Sequence, residues 1–523
     1  MGLESTHPQY DQFTDDWVTQ RDLQKGERAV KAKETAYLPA TPGMILDGMK
    51  KGEVGYQIYQ NYLRRAVFPE YVAEGVEVLV GMLHHKDATI ELPAPMEPLR
   101  EKATLHGESL QALLRRINTE QLITGRVGLL ADMPETPDQA NPLPYIATYI
   151  SESIRNWDEA DDAKGFVALN LVVLDEGGYT RESDFTWKVF KRYRVLQLGD
   201  IATNEQNGMG VYLMGVFDDV GNTNNLTYDV TKMKAPTLRG KMLKQIPFVF
   251  INTRDLISTP DEPPLLGLGK LVLAIYRGEA DYRQGLFMTG QDTLVVIGGT
   301  QKNSETGAEE PLRTGAGSKI DVEQGGDAKY IGVNSQGLAE QRTALENDRK
   351  RAESKSGQLI QAKSSQESGQ ALKTRLTAQT ATLNQIALTG ALGLQSVLRK
   401  VAEWMGLDPE TVVVKPNMEF GEVNLEVTDL STLTDARTKG FPISKKSMHQ
   451  LAVERRLTTL SFEEEMDQIQ EEDAAMPRVG QGATVLTADE QLQQKEAERQ
   501  AAADALKNKQ QQPNQPGNLN NNA

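Results

Sequence analysis

Along "EVGYQIYQNYLRRAVFPEYVAEGVEVLVGMLHHKDATIELP", the apolar residues Ile58, Tyr62, Ala66, Val72, Val76, Leu79, Val80 and Leu83 fall mainly at three- and four-residue steps. That is the helical period, and Pro69 interrupts it, so the pattern predicts two helices in succession. "SLQALLRRINTEQLITG" predicts another helix, opened by Ser109 as its cap, and runs into the strand-like "RVGLLADMP". From "LPYIATYISESIRNW" onward the period shortens to that of strands, through "GFVALNLVVLDEGG", "FTWKVFKRYRVLQL", "GVYLMGVFDDV" and "IPFVFINTRD". Gly, Asn and Asp clusters separate these runs, which predicts a mixed or antiparallel sheet.

Past Pro263 and Pro264 the helical period returns over Leu265 to Met288. A compact insert from Asp292 to Asn334 follows, with strand candidates "TLVVIGG", "SKIDVEQ" and "AKYIGV". A charged helix over Leu338 to Gly357 comes next, then a Ser/Gln/Gly-rich stretch, then a long helix from Gly369 to Trp404. That helix aligns Leu372, Leu376, Leu383, Ala387, Leu394, Leu398, Val401 and Met405 along one stripe, and Gly406 is its stop. After "ETVVVKP" and "NLEV", residues 444–472 read as a short helical region, and from Pro477 a Gln/Asn-rich, Pro-containing tail reads as disordered.

Composition narrows the chemistry. The 523 residues suffice for about three sub-structures. The net charge of −16 argues against a surface that grips nucleic acid through its phosphates. With no cysteine, disulfides, thiolate catalysis and Cys-ligated zinc are excluded. The acidic N-terminus has no apolar export segment and no window is apolar enough to span a membrane. "MGLEST" fits the myristoylation pattern only superficially.

The five histidines, His7, His84, His85, His106 and His449, have no metal-ligand spacing. "GLGK" and "IGGTQKNSETG" lack the Lys-Ser/Thr ending of a phosphate-binding loop, and there is no GxSxG elbow. Asp158, Asp161 and Asp162 cluster in "NWDEADDAKG", where an acidic loop is the commoner reading than a divalent-metal or acid/base site. Arg342, Arg349, Lys350, Arg351 and Lys355 alternate with Glu340, Glu346, Asp348 and Glu353 on the charged helix. The spacing suits a salt-bridged face, solvated or between subunits, and alternatively a surface that grazes phosphates. No catalytic residue, metal site or cofactor is expected.

"YLPATPGM", "YQNYLRRAVFPEYVAEGVEVLVGMLHHKDATIELP", "GRVGLLADMP" followed by "PYIATYISESIRNW", and "SGQALKTRLTAQTATLNQIALTGALGLQSVLRKVAEWMGL" span residues 37–406. In their order and spacing they resemble the portal proteins of tailed bacteriophages, in the group known as a phage domain of unknown function with a portal-like fold. The resemblance implies an α+β portal fold with a mixed α/β wing, long stem helices, a small α/β clip insert and a helical crown. It implies a wing over 1–262, stem helices over 263–289 and 336–358 and a clip over 290–335. A tunnel loop over 359–368, a long wing helix with returning strands over 369–430, a crown over 431–476 and a tail over 477–523 complete it.

The implied function is a homo-oligomeric ring of about twelve copies at one capsid vertex. It would pass double-stranded DNA during packaging and ejection, within the virion and, during assembly, in the host cytoplasm. Implied partners are the terminase large subunit, major capsid and scaffolding proteins, and head-tail adaptor or tail proteins, with no membrane. Lys363, Ser364, Ser365, Gln366, Glu367 and Ser368 would form the DNA-facing loop. Small neutral side chains there add no phosphate contact that moving DNA must break. A plain helix-helix linker is the alternative for this loop. Another virion component, a minor head or adaptor protein, is the alternative for the chain, and a DNA-processing nuclease or ATPase using Asp158 or Asp161 is the more distant one.

Overall fold

The computed structural model describes residues 2–134, 143–161, 165, 167–200, 210–219, 226–290, 293–298, 322, 325–331, 336–356, 369–418, 444–454, 458 and 460–475. Contacts divide the chain into two units, Met1–Glu422 and Val423–Ala523.

The first unit opens with helices α1 (Pro8–Gln24), α2 (Glu27–Ala32), α3 (Pro42–Leu46), α4 (Val54–Arg65) and α5 (Tyr71–Leu83). The break between α4 and α5 spans residues 66–70 around Pro69: Ala66 is already extended, and the proline disfavours the helical region for its predecessor Phe68. Strand β1 (Thr89–Glu91) leads to α6 (Leu110–Thr124). The Ser109 hydroxyl caps α6 by accepting from the Ala112 amide at 3.2 Å, and Gly125 closes it at φ 78°. A Cβ at Gly125 would lie 3.0 Å from the Asp261 carbonyl oxygen, so both the dihedral and the space require glycine.

Strands β2 (Arg126–Asp132) and β3 (Tyr145–Ile150) follow, then β4 (Ile154–Asp161), β5 (Val167–Asp175), β6 (Gly178–Arg181), β7 (Trp187–Phe190), β8 (Arg192–Gly199) and β9 (Val211–Asp218). Short β10 (Thr237–Leu238) and β11 (Lys241–Met242) precede β12 (Phe248–Asn252). Two sheets result, with orders β12-β2-β3 and β4-β5-β8-β9. Every strand pairing among the described residues is antiparallel, so the fold class is α+β. Residues 318–324, one of the strand candidates, fall largely outside the described residues.

The next elements are α7 (Leu266–Thr289), β13 (Thr293–Ile297), β14 (Asp327–Ile331), α8 (Gln336–Ser356), α9 (Gly369–Met405) and β15 (Val413–Lys415). β15 returns to pair with β1.

Period-two alternation sorts the sheet residues into layers. Val127, Leu129 and Ala131 of β2, with Val249 and Ile251 of β12, face α6 and α9. Leu130, Phe248 and Phe250 face the second sheet, meeting Val172, Leu174, Leu196 and Leu198, with Trp17 of α1 in the same core. The far side of the second sheet packs Val173, Val195 and Leu213 against Leu3, Phe217 and Met233. Helix α9 is the spine of the unit. Leu383, Ile386 and Ala387 enter the helical core of α4, α5 and α7, Leu394, Val397, Leu398 and Val401 enter the core under β2 and β12, and Trp404 enters the inter-sheet core. The expected stripe is therefore buried at Leu383, Ala387, Leu394, Leu398 and Val401, with Met405 packed against it. The side chains of Leu372 and Leu376 are outside the described residues.

In the second unit, α10 (Lys445–Glu454) and α11 (Phe462–Ala475) pack together through His449 and Phe462, whose rings are 5.4 Å apart. Ser461 and Glu464 form a reciprocal cap on α11, at 3.3 Å and 2.9 Å. The tail from 477 and "NLEV" lie outside the described residues.

Candidate functional site

Helices α7 and α8 run antiparallel, and glycines set their approach. A Cβ at Gly278 would stand 3.0 Å from Leu345 Cδ2, and one at Gly285 would stand 2.8 Å from Leu338 Cδ2. Two glycines seven residues apart on α7 thus receive two leucines seven residues apart on α8, which keeps the contact on one side of both helices. The β13–β14 pair, joined from Thr293↔Ile331 to Ile297↔Asp327, follows at the far end of the helices.

Among the described side chains of α8, Leu345, Ala352 and Ser356 are the buried ones. At its last turn, Gly75 of α5 provides the seat, where a Cβ would meet Ser356 Cβ at 3.3 Å. α7 is anchored in the body by Val272, Ile275 and Tyr276, and then leaves it. Tyr62 donates to Asp281 Oδ1 at 2.6 Å and Arg65 donates to Gln284 Oε1 at 2.6 Å, whereas Leu286 and Met288 are exposed.

Glu279 is the electrostatic centre of the pair. Its side chain is 5% exposed, and its two oxygens accept from Arg283 Nε at 2.6 Å and Arg349 Nη2 at 2.7 Å. Two guanidinium groups on one buried carboxylate leave the cluster cationic, with the arginines reaching toward solvent. Arg342 pairs with Glu346 at 2.9 Å and Arg351 with Asp348 at 3.3 Å, both pairs exposed and each contributing little to stability. Lys350 and Lys355 are exposed without an ion-pair partner among the described residues. The five basic residues named from sequence therefore separate into three that form ion pairs and two that have none among the described residues. Lys363, Ser364, Ser365, Gln366, Glu367 and Ser368 lie outside the described residues.

The leucine–glycine spacing and Glu279 were missed by sequence reading. Gly278 and Gly285 against Leu338 and Leu345 were visible as matching heptad steps. The Glu279–Arg283 pair follows helical spacing, but Arg349 lies 70 residues from Glu279 and that contact leaves no local signal. Replacing both glycines with leucine should part the helices and lower the thermal midpoint, since overpacking costs about 1–3 kcal/mol per site. A differential scan of the double variant checks this, and an unchanged midpoint would mean that α7 and α8 do not depend on that contact.

Asp158 and Asp161 lie on strand β4 and not on the acidic loop that the sequence suggests. Asp158 accepts from Asn170 Nδ2 at 3.1 Å, Asp162 lies outside the described residues, and no cluster of three metal-ligating side chains occurs among the described residues. Two of the histidines make structural contacts. His7 caps α1 and stacks on Trp157 at 4.2 Å, and His84 lies 2.9 Å from Asn118 Oδ1. Burial pushes the pKa of both imidazoles down. No helix among the described residues is long and apolar enough to cross a membrane.

A family model described as a domain of unknown function, DUF4055, matches residues 264–405, which run from the residue before Leu265 to the end of α9. No curated protein matches the chain in sequence. Among solved structures, a chain in the neck of an empty GTA particle with C6 symmetry is similar at 13% identity and TM-score 0.37, over 75% of this chain and 92% of that one. A chain from the virion of a native gene transfer agent particle is similar at 13% identity and TM-score 0.35, over 75% and 92%. The neck of a native GTA particle with C12 symmetry gives 12% identity and TM-score 0.36, over 73% and 89%. The family match spans α7, β13, β14, α8 and α9.

Proposed function

We propose that this chain is the subunit of a phage-type portal ring, a structural conduit for double-stranded DNA at one vertex of a capsid. The observation that carries the reading is the order of elements over the matched region. An antiparallel helix pair leaves the body, carries a two-stranded insert, returns to a glycine seat on α5, and is followed in sequence by a Ser/Gln-rich segment whose only charges are Lys363 and Glu367, and then by the longest of the described helices. In this reading α7 and α8 are the stem, β13–β14 belongs to the clip, residues 359–368 face the channel, and α10–α11 belong to the crown.

The surface of the helix pair supports this. α8 buries three residues, and α7 exposes Leu286 and Met288 beyond the body. Such a pair gains most of its burial from neighbours, and head-to-tail packing that closes by rotation supplies a neighbour on each side. Lys350 and Lys355 are then cations for adjacent stems or passing phosphates. The net charge of −16 disfavours tight binding of DNA by the chain as a whole. The chain conducts DNA, while ATP turnover belongs to a terminase large subunit docked at the clip.

The residue-level test is Ser364→Arg with Ser365→Arg. In a ring of about twelve copies, roughly two dozen added cations would face the channel. Negative-stain images should show intact rings, and packaged DNA per particle should fall at least about tenfold, since each added phosphate contact must be broken at every step. Normal packaging by intact variant rings would remove the channel assignment of this segment. An adaptor or minor head protein would give intact particles whose DNA content ignores the substitutions.

A further inference from the structure

The β6–β7 ribbon pairs with no other strand among the described residues. It continues the β5–β8 hairpin past the Glu176 amide, which donates to the Arg192 carbonyl at 2.8 Å. Tyr179 opposes Val189 and Arg181 opposes Trp187, so these four share one face. Three of them are apolar and solvent-facing, Tyr179 at 74%, Val189 at 65% and Trp187 at 66% exposed. Phe185, at the apex, is 91% exposed. The apex is tied by Arg181 Nε donating to the Ser183 and Asp184 carbonyls at 3.2 and 3.1 Å, and by the Glu182 amide donating to Thr186 at 3.0 Å. A lone two-stranded ribbon with four exposed apolar side chains is marginal in water, and it stabilises when that face is covered.

The same chain carries a concave counterpart. On the outer face of the β4-β5-β8-β9 sheet, an open groove of about 630 Å³ is lined by Leu3, Leu171, Val173, Val195, Tyr228 and Val230. The ribbon cannot fill it within one chain. Val173 and Val195 oppose each other in the sheet, and Arg181 lies about 26 Å further along the extended chain, at about 3.3 Å per residue.

We propose that the aromatic ribbon β6–β7 of one copy docks Phe185 and Trp187 into the groove over the β4-β5-β8-β9 sheet of a second copy. The partner's being a second copy rests on the ring reading above, and two observations favour it. Knob and groove are different surfaces of one molecule, so their contact is heterologous and repeats around a ring, using every knob and every groove. The charges also match. Lys188 beside Trp187 is exposed and without an ion-pair partner among the described residues, and Asp229 lies at the groove between Tyr228 and Val230. Bonds from the Thr231 amide and hydroxyl, at 2.9 and 2.7 Å, hold the Asp229 carboxyl below the usual carboxylate range and keep it ionised. Four apolar side chains offer less than the roughly 800 Å² per partner of a standard interface, so this contact acts with others in the ring.

The absence of native cysteine makes the test direct. Chains carrying Phe185→Cys and chains carrying Tyr228→Cys are mixed at ring-forming concentration and oxidised. Cross-linked dimers are expected from the mixture and not from either chain alone. In parallel, Phe185→Ser with Trp187→Ser should raise the concentration at which rings form by about tenfold or more, because buried aromatic anchors dominate interface energies. Rings of normal mass that neither cross-link nor respond to the serines would overturn the docking and leave the ring reading standing. A chain that stays monomeric at every concentration would overturn both. Loss of DNA retention by the serine variant with unchanged ring assembly would assign the ribbon to nucleic acid and overturn the proposal as well.

Discussion

Arg194→Met is expected to lower the unfolding free energy by about 3–5 kcal/mol, the cost of leaving buried charges without their partner. Arg194 on β8 lies between two carboxylates, with Nη1 2.6 Å from Asp132 Oδ2 and Nε 2.7 Å from Glu176 Oε1. The Asp132 side chain is only 4% exposed. Tyr145 and Tyr149 also donate to this pair, at 3.1 and 2.5 Å. Without the guanidinium, two negative charges face each other in a largely buried gap between the sheets, with the two phenols and the Met133 amide, which donates to Asp132 Oδ1 at 2.8 Å, as the remaining donors. Burial alone would push the Arg194 pKa down, but the two carboxylates and Tyr149 outweigh it and hold it above its ordinary value. Urea unfolding at neutral pH measures the loss, and Arg194→Lys should recover part of it, since one ammonium meets the charge but not the forked geometry. A midpoint unchanged in Arg194→Met would mean that water already screens this cluster.

Trp404→Ala is the second large effect, about 3–5 kcal/mol for deleting a buried indole. Trp404 is 1% exposed in the inter-sheet core, and its Nε1 donates to the Lys241 carbonyl at 3.3 Å. It fastens the end of α9 to the sheets just before the helix stops at Gly406, where φ is 76°. In the ring reading α9 is the rigid beam behind the channel segment. The variant should therefore lose ring assembly below its unfolding temperature as well as stability. Thermal scans with mass photometry at each temperature separate the two losses. Rings that persist up to the unfolding temperature would show that α9 does not transmit to assembly.

Much of the first unit was legible because its signals are local. Pro69 separates α4 from α5, Ser109 and Gly125 bound α6, and the α9 stripe buries where its period predicts. Helix α1 was not read. Its buried apolar residues, Tyr10, Trp17 and Leu23, are sparse, and polar contacts hold the rest. Arg21 pairs with Glu120 at 2.7 Å and with Glu152, and Asp22 accepts from Tyr37 at 2.8 Å. Partners about a hundred residues away leave no periodicity. The same division runs through the stem charges. Arg342–Glu346 and Arg351–Asp348 follow helical spacing and could be read from it, whereas Arg349–Glu279 joins two helices across the insert. The segment 359–368, which lies outside the described residues, was legible as composition alone.

The most direct measurement is the mass and axial view of the purified full chain at assembly concentration. The account predicts closed particles of about twelve times 57.8 kDa, with an open lumen and a probe at Ser365 on its wall. A single 57.8 kDa species, or closed particles with that probe on the outer rim, would contradict it.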